Sequence, residues 1–229
     1  NEMRRTDEEV RQHYVYVVCD GVGGADAGEI ASLHAVEGIH QYFENGGESI
    51  EEAAFAGNRS VCEEMARREG TRMGSTYAAL YVEASGLMKK LKATACNVGD
   101  SRVYMFRGGN VTQLTKDHSR VQQLIDAGMM TVDEARISKM RHVVTQHLGT
   151  DETEYRMSPF VSGGIKIKAG DIYLVCSDGL TDMMTDETIE AILNNMKNEN
   201  CEVIADALVN AALNAGGRDN VTVVIVKAE

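Results

Sequence analysis

Helical and strand-like periodicities fall in separate blocks along this chain rather than alternating, and that order is the strongest constraint on its fold. An apolar, β-branched and aromatic run over 14–19 reads as a buried strand ending at Asp20, where Gly21, Gly23 and Gly24 break it. Two helices follow. The first, over 28–43, places Ile30, Ala31, Leu33, Ala35, Val36 and Ile39 to pack on one face and stops at Asn45-Gly46-Gly47. The second, over 49–68, turns Ile50, Ala53, Ala54, Val61 and Met65 inward. Strands are expected over 75–83, 91–98 and 102–106, with Arg107-Gly108-Gly109-Asn110 as a hairpin turn. Residues 116–150 are polar, His-bearing and helix-prone around 120–127 and 132–137, as suits a flap inserted over the main body. Strands resume over 165–168 and 171–176, helices over 186–196 and 201–214, and a last strand over 221–227. Segregated blocks argue for an α+β fold rather than repeating βαβ units. Two antiparallel β-sheets flanked by helices, a four-layer α-β-β-α sandwich with a flap, accommodate the order in a single domain over 1–229.

The formal net charge is −12, from 35 acidic and 23 basic residues, and no Lys/Arg-rich run is present to grip a nucleic-acid backbone. Nucleic acid is therefore not an expected partner. The acidic excess has two readings, a solvated surface or a carboxylate-lined cation site, and only the positions of the carboxylates separate them. Cys19, Cys62, Cys96, Cys176 and Cys201 lie far apart with no CxxC spacing, which suits reduced core residues in a cytoplasmic protein. No apolar run approaches the ~18 residues of a membrane span. A monomer is expected. The chain opens with Asn1, so it is expected to be a fragment, a processed product or a tagged one.

One local pattern recurs at four places. Asp20, Asp100 and Asp178 each follow an apolar strand, and Asp219 precedes one; Gly21, Gly99 and Gly179 stand next to the first three. A single Asp-Gly after a strand is a turn by default. Four of them at one sheet edge would repel unless a cation neutralised them. Carboxylates, a backbone carbonyl and water suit hard ions such as Mg²⁺ or Mn²⁺, whereas zinc would ask for His or Cys nearby. The six histidines, His13, His34, His40, His118, His142 and His147, are scattered and read as surface or helix-face residues.

The blocks "VVCDGVGGADAGEIAS", "MGSTYAAL", "CNVGDSRVYMFRGG", "LTKDHS", "LVCSDGLTDMMTDETI" and "GGRDNVTVVIV" stand in an order and spacing that resemble the metal-dependent protein phosphatases of the protein phosphatase 2C type, in their compact bacterial-like form. The resemblance runs from about residue 14 to the end. It implies the α-β-β-α sandwich and hydrolysis of phosphoserine and phosphothreonine in proteins phosphorylated by a serine/threonine kinase. By resemblance, Asp20 bridges two Mn²⁺ or Mg²⁺ ions, the Gly21 carbonyl ligates one, and Asp178 and Asp219 complete the other. Asp100 is implied as ligand to a third, weaker ion, and Asn220 as support for a bound water. A metal-bridging water would then attack phosphorus in line, with no phosphoenzyme.

Two departures bear on activity. The family carries an Arg and then an N-E/Q-D motif on a strand ahead of the DG motif. Here Asn1-Glu2-Met3 aligns with that motif, Met3 replaces its Asp, and the strand and its phosphate-gripping Arg are expected to be missing or truncated; Arg4 or Arg5 could substitute, though a surface role suits them better. Val22 also stands where other branches place a proton-donating His, leaving the flap residue His118 or a metal-bound water as candidate acid. The alternative reading is a catalytically impaired, phosphatase-like regulatory or binding module. A third is hydrolysis of small phosphoesters.

Overall fold

The computed structural model describes residues 13–22, 27–69, 71–85, 90–151, 153 and 155–229. Asn1 to Arg5, the expected truncation of a first strand, and Gly23 and Gly24 lie outside the described residues. The chain begins with β1 (His13–Val18), β2 (Gly21–Val22), α1 (Gly28–Glu44), α2 (Ile50–Arg67), β3 (Gly74–Ser75), β4 (Tyr77–Ser85) and β5 (Lys90–Val98). It continues with β6 (Arg102–Arg107), β7 (Asn110–Gln113), α3 (Arg120–Asp126), α4 (Val132–Ile137), β8 (Phe160–Val161) and β9 (Ile165–Lys166). It closes with β10 (Ile172–Cys176), α5 (Asp178–Thr181), α6 (Asp186–Met196), α7 (Cys201–Asn214) and β11 (Val223–Lys227).

One sheet runs β1-β4-β5-β8, with β9 also on β5; the second runs β11-β10-β6-β7; β2 and β3 form a separate ribbon. Every pairing is antiparallel. Period-two alternation builds three cores between four layers. Along β4, Tyr77, Ala79 and Tyr81 pack with Ala31, Ala35, Ala53 and Ala54 of α1 and α2. The intervening Ala78, Leu80 and Val82 meet Val103, Tyr173 and Val175 between the sheets. Along β10, Ile172, Leu174 and Cys176 turn the other way, onto Ile189, Leu193, Ile204 and Leu208 of α6 and α7. The layer order α1/α2, sheet, sheet, α6/α7 follows from these contacts. The Gly108-Gly109 turn closes β6 and β7, with φ of 60° and 92°.

Two boundaries differ from expectation. β1 stops at Val18, opposite Ala78, because Asp20 bonds to Thr76, just ahead of β4, instead of extending the regular ladder. Its N–H donates to Thr76 Oγ1 at 3.0 Å and its carbonyl accepts the Thr76 N–H at 2.7 Å. After β10 a one-turn helix stands where a plain turn was expected, held by Leu180, which is fully buried.

The flap contains α3 and α4 as expected, begun by Ser119 and Thr131, whose hydroxyls accept from Gln122 N at 3.2 Å and Glu134 N at 3.3 Å. Its two arms are tied to each other and its end to the body. Thr145 N donates to His118 O at 2.8 Å, and buried Asn58 of α2 accepts from Gly149 N at 2.8 Å and Thr150 N at 2.9 Å.

Candidate metal centre and active site

Strand ends from both sheets meet at one cavity of about 340 Å³, and Asp20, Gly21, Asp100, Asp178 and Asp219 all line it. Asp20 follows β1 of one sheet, Asp178 and Asp219 follow β10 and precede β11 of the other, and Asp100 sits in the loop that crosses from β5 to β6 between the two. Asn220 does not line the cavity. Its carbonyl accepts from Ser177 Oγ at 3.2 Å while its N–H donates to Asp219 Oδ1 at 2.8 Å, so it braces both neighbouring aspartates.

Each carboxylate is positioned by residues far away in sequence. Thr76 Oγ1, which holds the Asp20 N–H, is itself 2.7 Å from Ser101 Oγ, and Ser75 Oγ donates to Asp20 O at 3.1 Å. Gly21 must lack a side chain: a Cβ there would collide with the backbone of Gly28 at the start of α1. Gly179 is constrained alike, since a Cβ would collide with the Asn220 carbonyl. Ser177, ahead of Asp178, accepts from Thr222 N at 3.0 Å, which seats α5 against the approach to β11.

Burial sets the electrostatics. It raises the Asp20 carboxyl above its ordinary range; a hydrogen-bonding interaction with Asp178 opposes this and the Asp219 charge adds to it. Asp178 is raised by burial first and then by the charges of Asp100, Asp20 and Asp182. Asp100 is pushed up to about 7, by burial, then by Asp117, against the pull of Arg102. Asp178 Oδ1 is buried without a hydrogen-bond partner. An orphaned carboxylate oxygen among mutually destabilised carboxyls is the donor set that a hard divalent cation satisfies.

His118 does not line the cavity. Its Nδ1 accepts from Gly99 N at 3.1 Å and its backbone N–H donates to Gly99 O at 2.8 Å, so it fixes the loop carrying Asp100. Burial lowers its pKa, with Lys116 acting in the same sense and Asp117 against. The histidine on the cavity wall is His142, passed over in the sequence, whose Nδ1 lies 3.1 Å from Asp182 Oδ2. Ligand atoms of His142, Asp178 and Asp182 fall within 4.8 Å of one another, the one trio of His, Cys, Asp or Glu among the described residues to do so. Thr76, Arg141 and Arg218 also line the cavity. Thr76 and Arg218 fall inside the family-like blocks but carry no expected role in the sequence; nothing local marks Arg141 or His142.

Cys19 packs against the α1/α2 core, and burial pushes its thiol up to about 12. Cys176 is fully buried, and none of the five cysteines is in a disulfide.

A sandwich of this layering, with oxygen donors gathered at one edge, is an α+β fold with a candidate site for hard divalent cations. Residues 2–221 match the family model for protein phosphatase 2C, and the chain belongs to that family. It is 34% identical over 214 residues to the serine/threonine protein phosphatase PstP of Mycobacterium tuberculosis, covering 91% of this chain but only 39% of that protein's length. It is 30% identical over 223 residues to the serine/threonine phosphatase stp of Listeria welshimeri, covering 93% of this chain and 84% of the relative. A solved structure of the PstP catalytic domain in complex with two manganese ions superposes with a TM-score of 0.75 at 31% identity, covering 96% of this chain and 91% of that one.

Proposed function

We propose that this chain is a Mn²⁺- or Mg²⁺-dependent serine/threonine protein phosphatase whose substrates are phosphorylated proteins, the products of serine/threonine kinases. The observation that carries the reading is the cavity shared by Asp20, Gly21, Asp100, Asp178 and Asp219, with the orphaned Asp178 oxygen inside it. Asp20, the Gly21 carbonyl, Asp178 and Asp219 would hold two ions, and Asp100 a third. When bound, the ions supply Lewis acidity, lowering the pKa of water and neutralising charge on phosphoryl oxygens. The protein's part is placement: Thr76 and Ser101 fix Asp20, Ser177 fixes Asp178, and the Asn220 backbone braces Ser177 and Asp219. The three continuous cores support a single catalytic domain over the chain, and five cysteines outside any disulfide suit a reducing, cytoplasmic setting.

Turnover of a phosphothreonine peptide in Mn²⁺ tests this. Activity is expected to disappear with EDTA and to fall at least 100-fold in Asp178→Asn, with the peptide preferred over p-nitrophenyl phosphate. Full activity in EDTA, or in the variant, would sink the metal-dependent reading.

A further inference from the structure

A second cavity, of about 500 Å³, lies between the flap and the body and takes no part in the proposed metal chemistry. Its flap side is built by Val121 and Ile125 of α3 with Val132 and Ala135 of α4, and its body side by Met183 and Met184 after α5. Arg141, Asp182 and Met183 line the metal cavity as well, so the two spaces share a wall. A volume of this size falls within the ~300–1,000 Å³ of ligand pockets.

The charged groups away from that shared wall are already engaged. Arg102 donates to both oxygens of Asp117, from Nε to Oδ1 at 2.9 Å and from Nη2 to Oδ2 at 2.6 Å, and Gln113 Nε2 adds a bond to Oδ1 at 2.9 Å. Asp186 accepts from the Tyr104 hydroxyl at 3.1 Å, and Arg136 lies 3.9 Å from Glu187. A charged occupant would have to break into these pairs. The apolar lining is the opposite case. Val121, Ile125 and Met183 are only half-buried and Val132 is 57% exposed, so an apolar group seated among them removes surface from water on both sides. Two adjacent methionines make the body wall adaptable in shape.

We propose that this cavity is a specificity subsite that takes an apolar side chain of the substrate protein. The shared wall argues for a substrate residue rather than a free small molecule: a chain whose phosphoryl group sits in the metal cavity passes the mouth of the second one. An extended chain advances ~3.3 Å per residue, so the residue concerned lies within about four positions of the phosphorylated one. The occupant rests on the phosphatase reading; the preference of the cavity for an apolar group does not.

A panel of phosphothreonine peptides, each with one Leu in an otherwise Gly/Ser flank, tests this in Mn²⁺, by kcat/KM and, with a non-hydrolysable phosphonate replacing the phosphate, by Kd from fluorescence anisotropy. One Leu position should be favoured about tenfold or more over Gly in both readouts. Ile125→Ser, which makes the wall polar, and Val121→Phe, which fills the space, should each bring that ratio within about twofold of unity, with Tm and Mn²⁺ affinity unchanged; if the first fails to fold, the second carries the test. A wild-type chain indifferent to Leu at every position overturns the proposal. So does a Leu preference that survives in a folded variant, or a stronger preference for Asp or Lys at the same position. A Leu preference in phosphonate binding that the variants lose, with no turnover by the wild type, leaves the subsite standing and removes the phosphatase reading.

Discussion

Thr76 is 2% exposed and serves two partners at once, the Asp20 N–H and the Ser101 hydroxyl. Replacing it by Val keeps the shape but leaves a backbone donor and a buried hydroxyl without their partner, which costs about 1–3 kcal/mol per group. Thr76→Val should therefore lower stability by a few kcal/mol in urea unfolding and weaken Mn²⁺ binding in calorimetry; Thr76→Ser, which restores the hydroxyl, should recover most of both. The four aspartates were readable because each stands beside an apolar strand, a pattern visible within a few residues. Thr76 was not readable in this role, because it lies 56 residues from Asp20. Arg141, His142 and Asp182 share the difficulty: their meeting is made by the flap's path, not by local periodicity.

At the scale of elements, long strands and amphipathic helices were legible from apolar spacing, and the segregated block order led directly to the layered arrangement. The two-residue strands β2, β3 and β8 are too short to show a period. β1 ends early for a reason that lies far along the chain, the Thr76 side chain between β3 and β4. The β6-β10 pair offers a direct test of how the second sheet is held. Asp171, buried at the start of β10, receives Arg107 Nη2 at 2.6 Å and the Lys168 N–H at 2.7 Å. Burial acts to raise the Asp171 pKa, but the Arg107 and Lys168 hydrogen bonds outweigh it and the net shift is downward. A lowered carboxyl contributes stability that is present above its ordinary value near 3.8 and is lost as pH falls through the folded one. Arg107→Ala, which strands a buried carboxylate, should cost about 3–5 kcal/mol at pH 7 by denaturant unfolding. The difference from wild type should shrink as pH approaches 4, where the stranded group takes up a proton.

For the whole molecule, the cavity makes stability depend on pH and cation together. Asp100 has the opposite sign to Asp171: its carboxyl is raised, from 3.8 to about 7. Its contribution to the metal-free fold is full below about 3.8 and is lost as pH rises through about 7. Burial of the group makes this worth on the order of a few kcal/mol. A divalent cation binds the ionised form and competes with protons. The rise in Tm on adding Mn²⁺ to EDTA-treated protein should thus be larger at pH 8 than at pH 5, measured by thermal unfolding; an equal rise at both would count against carboxylate ligation in this cavity.

The carboxylates are drawn from both sheets, Asp20 from one, Asp178 and Asp219 from the other and Asp100 from the loop between them, and this has a mechanical consequence. Neither sheet alone carries the ligand set, so the relative alignment of the sheets sets the spacing of the site. That alignment is fixed by small and medium side chains in the seam, Ala78, Leu80, Ala93, Ala95, Val103 and Val175. Seen this way, the inter-sheet core is a jig: its packing tolerances become the tolerances of the metal centre, and a methyl group lost deep between the sheets is felt as a misfit at their edge.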